Sequence, residues 1–479
     1  MQTIKEAIKE LFSSFSKEPV VDIELLPQSG SNRVYFRVHT ELKNYIATSN
    51  NNVRENNTFI YFSSHFKQSG CPVPEVFAVN DEHTIYIQED FGDTSLLNEL
   101  EIHGQNDHVY GLFQKSLKAI AHLQINGDRG LDYSQCITSK EFGKQAIVAD
   151  LLYFKYYFLD TLGIPYDKEK LINDFEALST YLSHVDHVYF MFRDFQSRNV
   201  MVKNGEVHFI DFQGGMKGAL QYDVASLLWQ AKAELSKEWK KSLLHYYMDC
   251  VGEILQKPVD ALRFESQYNG YVLIRLLQVL GAYGFRGLFE RKAHFLTSIP
   301  LALNNLKWFL ENNSVGISLP EFEMLLNAIT TDAIIQRFEN IKATDETPLQ
   351  VIINSFSYKK GIPSDHSDHG GGYVFDMRGI LNPGRVDAYK KLSGQDKAVK
   401  DFLEQQTDMP IFLNSVFSMI DISVSDYIKR GFDSLVINFG CTGGQHRSVY
   451  AAEALARHLR NKFRVKVKLS HTNQENWVR

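Results

Sequence analysis

Two stretches decide how the first part of the chain folds: residues 192–199 read FRDFQSRN, and residues 210–213 read IDFQ. Each lies at the end of a short apolar run that predicts a β-strand. Asp194, Asn199 and Asp211 are therefore expected close together. Phosphoryl transfer from a nucleotide needs such a set, with one carboxylate to take or orient the acceptor's proton and an Asp and an Asn to hold Mg²⁺. The pattern predicts the catalytic centre of a kinase.

Composition narrows the class of protein. A chain of 479 residues with 44% hydrophobic residues predicts two or three domains, and a net charge of -6 gives no whole-chain reason to expect nucleic acid. The cysteines are far apart, which argues against a disulfide framework or a zinc site and favours a reducing cytoplasm; they are Cys71, Cys136, Cys250 and Cys441. The N-terminus predicts an amphipathic helix, and no apolar run reaches the length of a bilayer span, so we expect a cytoplasmic protein without a membrane partner.

A small strand-rich lobe is predicted over residues 1–90. Strands at residues 21–26 and 33–39 are joined by a turn that contains Gly30 and Ser31. This turn could lie over nucleotide phosphates, but it lacks the full glycine-rich pattern, so an ordinary hairpin turn is the alternative.

The helix predicted over residues 54–70 carries Glu55 where a kinase places the acid that pairs with a strand lysine. The preceding strand, residues 45–48, reads YIAT and contains no lysine. Either another cation holds the phosphates, or Glu55 only stabilises the N-terminus of its helix.

The next strand ends in QEDFGD at residues 88–93. A strand that leaves a small lobe through a glycine-containing bend suits an interlobe hinge, whose backbone could bind an adenine edge. Gln88, Glu89 and Phe91 are therefore candidate nucleotide-binding residues, and a plain loop with solvated acids is the alternative.

From Val109 the apolar residues follow helical spacing, interrupted by the two catalytic strands at residues 188–192 and 207–212, which we expect to form a hairpin. Asp223 is expected as a helix N-cap. A strand-rich lobe followed by a larger helical lobe at residues 91–345 predicts a two-lobed, protein-kinase-like α+β domain.

Residues 20 to about 330 resemble the aminoglycoside phosphotransferase and choline kinase superfamily, and they look most similar to the cell-wall amino-sugar kinases. Those enzymes phosphorylate N-acetylmuramate and N-acetylglucosamine at the anomeric hydroxyl. The resemblance implies Asp194 as the catalytic base, Asn199 and Asp211 as ligands of Mg²⁺, ATP as donor and a sugar as acceptor. It is carried by YFRV at 35–38, QEDFGD at 88–93, RDF at 193–195, RN at 198–199, IDFQ at 210–213 and YDVASLL at 222–228.

A second, smaller domain is predicted at residues 346–479, after a polar, proline-closed linker that ends the first domain at residue 345. Strands at residues 349–356, 373–376 and 434–439 alternate with helical segments. This alternation predicts an α/β domain with a mainly parallel sheet.

The sharpest feature of the second domain is NFGCTGGQHRS at residues 438–448. A glycine-rich turn between a buried strand and a helix N-terminus points several backbone amides at one spot and predicts an anion site. Its candidate residues are Cys441, Thr442, Gly443, Gly444, His446, Arg447 and Ser448. Cys441 and Arg447 also have the spacing of a cysteine phosphatase loop, which is an alternative reading of the same residues.

Residues 349 to 475 closely resemble the C-terminal domain of the RNase adapter family RapZ, which senses glucosamine 6-phosphate and contacts a small RNA. The resemblance adds Lys359, Asp376 and Arg378 to the candidate site for a phosphorylated sugar. The P-loop domain that usually precedes it is absent, and the kinase-like domain takes its place, so the adapter role does not simply transfer. The matching stretches are SYKKGIP at 357–363, VFDMR at 374–378, NP at 382–383, SGQD at 393–396 and the loop at 438–450.

Two further stretches have open interpretations. Residues 365–372, DHSDHGGG, suit either a polar loop that closes over the anion site or a metal site. The basic tail carries six cations and no acid over residues 457–468, which favours a charged edge strand or an RNA-backbone footprint.

The sequence therefore predicts an ATP-dependent kinase for an amino sugar, with a second domain that binds a phosphorylated amino sugar. An RNA-binding regulator with a kinase-fold sensor is the alternative, and an aminoglycoside phosphotransferase is a minor one.

Overall fold

The computed structural model describes residues 2–26, 33–185, 188–290, 293–339, 341–364 and 372–478. The chain divides into two compact units, the first comprising residues 1–282 and 301–331, and the second residues 283–300 and 332–479. The predicted division after residue 345 differs from these units in residues 283–300 and 332–345, and it stays a prediction.

The small lobe of the first unit is an antiparallel sheet of five strands with two helices. The strand order is β1-β2-β3-β5-β4. Helix α1 is amphipathic, as predicted, and buries Ile8 and Phe12 against Phe36 and Val38 of the sheet. The elements are α1 (Gln2–Phe15), β1 (Val20–Leu25), β2 (Val34–Thr40), β3 (Asn44–Ser49), α2 (Val53–Gln68), β4 (Val76–Val79) and β5 (Ile85–Glu89).

After β5 the chain is mainly helical, as predicted. The helices are α3 (Leu96–His103), α4 (Asp107–Asn126), α5 (Lys144–Tyr157), α6 (Lys168–Ser183), α7 (Leu220–Leu228), α8 (Lys237–Leu255), α9 (Ala261–Tyr283), α10 (Ala293–Leu296), α11 (Ile299–Asn312), α12 (Pro320–Ile329) and α13 (Asp332–Phe338). The strands among them are β6 (Val188–Met191), β7 (Val200–Lys203), β8 (Glu206–Phe209) and β9 (Met216–Ala219).

The predicted hairpin between the two catalytic strands is wrong. Strand β6 pairs with β9, and β8 pairs with β7, each in an antiparallel pair. The turn between β7 and β8 is Asn204-Gly205, and both residues have positive φ angles, 54° and 74°. Asn-Gly is the preferred pair for a tight hairpin turn of this kind. This local turn therefore gives β8 its partner and leaves β6 to pair with the strand that follows Asp211.

The second unit contains a parallel sheet in the order β11-β12-β10-β13, which confirms the predicted α/β layer. Its strands are β10 (Gln350–Ser357), β11 (Gly372–Asp376), β12 (Ser434–Cys441) and β13 (Lys466–His471). Helices α14 (Lys397–Gln405), α15 (Met409–Arg430) and α16 (Arg447–Phe463) accompany the sheet. Ile353, Ile437 and Phe439 share one buried core with Leu455 and Leu459 of α16.

No continuous apolar run of bilayer length was expected, but two helices among the described residues are long and apolar enough to cross a bilayer by length and composition. Residues 261–289 and α15 both pass this test, with mean hydropathies of 1.4 and 1.3 over the most apolar window. Scattered polar residues interrupt both segments, so neither stands out as a continuous apolar run. The window is 56% buried in the first and 22% buried in the second. Core helices of soluble proteins pass the same test.

Candidate active site

The structure brings together the three residues on which the kinase prediction rests. The side-chain nitrogen of Asn199 donates to the backbone carbonyl of Asp194 at 2.9 Å, and it lies 3.4 Å from Oδ2 of Asp211. No hydrogen bond to the Asp194 carboxylate occurs among the described residues. One carboxylate is therefore available for a substrate proton, beside a second carboxylate and an amide that could share a metal ion.

The backbone is strained on both sides of this centre. Arg193 has a φ angle of 77° and Asp211 one of 70°, and neither residue is glycine. Such conformations cost on the order of 1–3 kcal/mol each and persist where the surroundings hold them. Strained residues are often found at functional sites, where the backbone is held so that particular side chains point towards the ligand.

Asp223 binds the backbone of the loop that precedes Asp194. It is fully buried and lies within α7, so its prediction as an N-cap is wrong. Its carboxylate accepts hydrogen bonds from the backbone N–H groups of Phe192 at 2.7 Å and Arg193 at 3.0 Å, and from the side chain of Gln124 at 2.8 Å. Burial raises the pKa of Asp223 to about 7, although these donors oppose the shift. These contacts make Asp223 a residue that positions the loop. Residue spacing did not predict this role, although residues 222–228 are part of the resemblance to the kinase superfamily.

Arg193 fixes the same loop from its other side. Its guanidinium donates two hydrogen bonds to Asp150 of α5, at 2.9 and 3.0 Å, and lies over the ring of Phe142 at 4.5 Å. Burial raises the pKa of Asp150, although the charge of Arg193 opposes the shift. The pair joins α5 to the segment that carries Asp194.

Aromatic rings place α2 next to Asp211. Phe212 is fully buried and stacks on Phe59 of α2, with ring centroids 4.9 Å apart. Phe66 of the same helix contacts both Phe212 and Phe190. The residue after Asp211 thus anchors α2, the helix that carries Glu55.

Arg33 lies between the two acids of this region. Its Nη2 donates to Oδ1 of Asp211 at 2.7 Å, and its Nε lies 3.5 Å from Oε1 of Glu55. Gln213 donates to the same Asp211 oxygen at 2.8 Å. Burial alone would raise the pKa of Asp211, but the charge and hydrogen bond of Arg33 outweigh it and keep that pKa below its usual value.

The predicted nucleotide-binding residues have different environments. Gly30 and Ser31 lie outside the described residues. Gln88 is buried on β5, while Glu89 is half-exposed and pairs with Lys67 at 3.0 Å. Phe91 is buried and stacks on His208, with ring centroids 4.1 Å apart.

The hinge itself is held by a buried arginine. Arg37 donates to Asp90 at 2.7 Å and to Asp93 at 2.7 Å, and Lys203 donates to the Asp90 carbonyl at 2.8 Å. These contacts fix the hinge backbone between the two lobes of the first unit.

The donor atoms near Asp211 fit Mg²⁺, which prefers oxygen ligands and usually keeps several from water or phosphate. Asn199 and Asp211 would hold the ion, which would neutralise charge on a transferred phosphoryl group. Among the described residues there is no group of three or more His, Cys, Asp or Glu side chains arranged as a metal site. A two-residue site completed by phosphate oxygens is consistent with this finding.

The glycine-rich loop of the second unit is fastened through its carbonyl groups. Three successive carbonyls accept hydrogen bonds: Thr442 from Ser357 at 2.7 Å, Gly443 from Asn473 at 2.7 Å and Gly444 from Trp477 at 2.9 Å. Gly444 has a φ angle of 65°, and its N–H donates to the Cys441 sulfur at 3.2 Å. The Cys441 thiol is buried and lies 3.1 Å from the hydroxyl of Ser448.

A cavity of about 710 Å³ opens beside the start of α16. Three arginines line it, Arg378, Arg385 and Arg447, and we call it the arginine cavity. Arg447 is buried, and its Nη1 donates to the carbonyls of Arg378 and Ile380 at 3.1 and 2.7 Å. Its buried Nε has no hydrogen-bond partner within the part of the chain that the structure describes. An orphaned buried donor of this kind favours an anionic ligand.

The other predicted anion-site residues do not line this cavity. His446 hydrogen-bonds the carbonyl of Tyr389 at 2.9 Å, and burial lowers its pKa. Lys359 is exposed, and Asp376 pairs with Arg378 at 2.6 Å. Arg385 and Asn382 are lining residues that sequence reasoning did not include in the site. The loop at residues 365–371 lies outside the described residues.

Two segments of the chain match known protein families. Residues 22–254 match the phosphotransferase enzyme family, and residues 349–475 match the RapZ C-terminal domain. The first match supports phosphotransferase activity for residues 22–254. The chain thus combines one segment that matches the phosphotransferase enzyme family with a second segment that matches the RapZ C-terminal domain.

Curated relatives and solved structures match parts of the chain. A nucleotide-binding protein of Endomicrobium trichonymphae is 39% identical over 138 residues, which cover 29% of this chain and 46% of the relative. A nucleotide-binding protein of Glaesserella parasuis is 30% identical and covers 39% of this chain and 64% of its own length. The chain thus spans less than two thirds of the length of these relatives. The choline kinase LicA of Streptococcus pneumoniae covers 64% of this chain and 99% of its own, with 17% identity and a TM-score of 0.43.

Proposed function

We propose that the protein is an ATP- and Mg²⁺-dependent kinase that phosphorylates an amino sugar of the N-acetylmuramate or N-acetylglucosamine type at the anomeric hydroxyl. The observation that carries the proposal is that Asp194, whose carboxylate has no hydrogen bond among the described residues, lies beside Asn199 and Asp211 on a loop held by Asp223. In this assignment Asp194 accepts or orients the proton of the acceptor hydroxyl. Phosphoryl transfer then needs mainly positioning and charge stabilisation.

The second unit supports an amino sugar as the substrate class. The lining of the arginine cavity carries three arginines against one acid, Asp408, so its net charge suits a phosphate. Its volume suits a sugar ring, and Asn382 and Thr407 are among its polar lining residues. We propose that it binds a phosphorylated amino sugar. The protein would then carry a site for the product class of its own kinase domain, or for a nearby compound of the same pathway.

The test is a sugar panel incubated with ATP and Mg²⁺ and analysed by mass. We expect one phosphate to be added to an N-acetylated sugar, and to be lost when the anomeric hydroxyl is blocked by a methyl group. Phosphorylation of an aminoglycoside instead would assign the minor alternative. No product from any hydroxyl acceptor, with wild type equal to Asp194→Ala, would reject the kinase assignment.

An RNA-binding regulator is the second candidate, and the basic edge strand β13 favours it. Lys466 and Lys468 are exposed on one face of this strand, whereas Lys462 is already paired with Asp421 at 2.6 Å. RNA binding through β13 predicts an affinity that falls steeply with salt and a salt slope that decreases by about 1–2 in Lys466→Glu/Lys468→Glu. Equal binding by wild type and the double variant would remove this candidate.

A further inference from the structure

The first unit has an unusual feature at the place where its phosphate-binding cation should be. Strand β3, where a lysine was expected, contains none, and Thr48 near its end is fully buried. Yet Glu55, the acid that such a lysine would pair with, is present and points at a cation. That cation is Arg33, which lies immediately before the neighbouring strand β2.

The sheet register explains how Arg33 reaches this place. Val34 is opposite Ser49 and Tyr35 is opposite Thr48 in the β2–β3 pair, so Arg33 lies one residue beyond the last paired position. Its side chain is only 12% exposed and extends from there to Glu55 and Asp211. The guanidinium of Arg33, immediately before β2, thus lies beside Glu55, the acid with which a lysine from β3 was expected to pair.

Two observations indicate that this guanidinium serves a ligand as well as the fold. Its Nε is buried and has no hydrogen-bond acceptor among the described residues, although Glu55 is near. Its Nη2 binds an oxygen of Asp211, the carboxylate that would hold the metal. Arginine presents several donors in one plane and suits phosphate oxygens.

We propose that Arg33 is the phosphate-contacting cation of this kinase, that Glu55 positions it, and that without nucleotide it is held on Asp211. This inference rests on the proposed function, because it assigns a residue of the same nucleotide site. Asn50 completes the arrangement by donating to the second oxygen of Glu55 at 3.0 Å, which keeps that carboxylate turned towards Arg33.

The proposal predicts an unusual metal dependence. Removing Arg33 deletes a donor to the phosphates but also frees the Asp211 carboxylate for Mg²⁺. The loss of ATP affinity should therefore be largest in EDTA and smaller with Mg²⁺. A purely structural arginine would weaken ATP binding to the same extent under both conditions.

The experiment measures the Kd of ATP by calorimetry on the full chain, with EDTA and with Mg²⁺. For Arg33→Met we expect affinity in EDTA to fall about tenfold or more, since a hydrogen bond to a charged group is lost. Arg33→Lys should recover part of it, and Glu55→Gln should weaken it less than Arg33→Met. Lys43→Met is the matched control, because it removes one exposed positive charge at the other end of β2 and should leave the Kd unchanged.

The results distinguish a failure of the proposed function from a failure of the role assigned to Arg33. If wild type binds no ATP, the proposed function fails. If wild type binds ATP and folded Arg33→Met binds it equally well, or loses the same factor with and without Mg²⁺, only the role of Arg33 is overturned. A thermal unfolding curve for each variant confirms folding, and Arg33→Lys supplies the comparison if Arg33→Met does not fold.

Discussion

The candidate catalytic centre of the first unit and the glycine-rich loop of the second unit use polar groups in opposite ways. In the first, the backbone is strained at Arg193 and Asp211, which have positive φ angles. The Asp194 carboxylate has no hydrogen bond among the described residues. In the second, three successive carbonyls at residues 442–444 are bonded, and the Cys441 thiol is buried. A reacting group must stay available to its substrate, whereas a binding loop can have its backbone fixed before the ligand arrives.

This difference also bears on the cysteine phosphatase interpretation of residues 441–447. A nucleophilic thiolate must reach its substrate, and Cys441 is only 2% exposed. Arg447 uses Nη1 for two backbone carbonyls. Binding at the arginine cavity fits these contacts better than attack by sulfur.

The largest expected effect is at Asp194. Asp194→Ala removes the proposed proton acceptor, and we expect turnover to fall by about 10²–10⁴-fold while the Kd of ATP stays within about twofold. Steady-state kinetics and calorimetry measure the two quantities. Asp81→Asn, an exposed acid on the small lobe, is the control and should match wild type. Retained turnover in Asp194→Ala would contradict the assignment.

The next effect is at Asp223. Asp223→Ala leaves two backbone N–H groups and the Gln124 amide without their acceptor. Orphaned buried donors cost about 1–3 kcal/mol each, so we expect a loss of several kcal/mol in unfolding free energy together with a lower kcat. Asp174→Ala is a matched control, because that buried carboxylate accepts one backbone N–H, from Phe322, far along the chain from the catalytic loop. It should lower stability and leave kcat nearly unchanged; equal kcat losses in both variants would argue against positioning.

The raised pKa of Asp223 predicts that the stability of the fold depends on pH. Burial raises the pKa of Asp223 to about 7, above the value of about 3.9 in an unfolded chain. The folded protein therefore binds more protons than the unfolded chain between these values, and this group's contribution to stability decreases as pH rises from about 4 to about 7. Between about pH 5 and 7, Tm should fall more in wild type than in Asp223→Asn. Parallel Tm curves would show that the carboxyl stays ionised in the fold.

A smaller effect is expected at the arginine cavity. Arg378→Met and Arg385→Met each remove a charge from its wall, and we expect about tenfold weaker binding of a phosphorylated amino sugar with little change in Tm. Calorimetry with glucosamine 6-phosphate measures this, and inorganic phosphate tests the anion alone. Arg430→Met, an exposed arginine of α15 paired with Asp426, is the control. Full affinity in both cavity variants would place the ligand elsewhere.

The smallest effect is expected at Cys441. Cys441→Ser keeps a small polar atom opposite Gly444 N–H and Ser448, so phosphosugar affinity should stay within about threefold. If wild type releases phosphate from a phosphosugar and this variant does not, the sulfur is catalytic and the contrast between the two regions disappears.

Most of the fold could be predicted because its helices and strands follow simple apolar periods, as in α1 and the strands of the parallel sheet. The pairing of β6 could not, since the decisive signal was the short Asn204-Gly205 turn and not the strands themselves. The residue types at Asp194, Asn199 and Asp211 indicated the chemistry. Arg33 was missed because it lies outside the predicted motifs, immediately before β2, and its contacts with Glu55 and Asp211 depend on the β2–β3 register.

The hydrogen bond from Trp477 to the Gly444 carbonyl gives the second unit an optical property. Indole emission depends on the polarity around the ring, and this indole touches the glycine-rich loop directly. The chain has four tryptophans, and the other three, Trp229, Trp239 and Trp308, are in the first unit. Trp477 in a variant with those three replaced by Phe would act as a built-in fluorescent reporter of loop occupancy, which would allow ligand titrations without any attached dye.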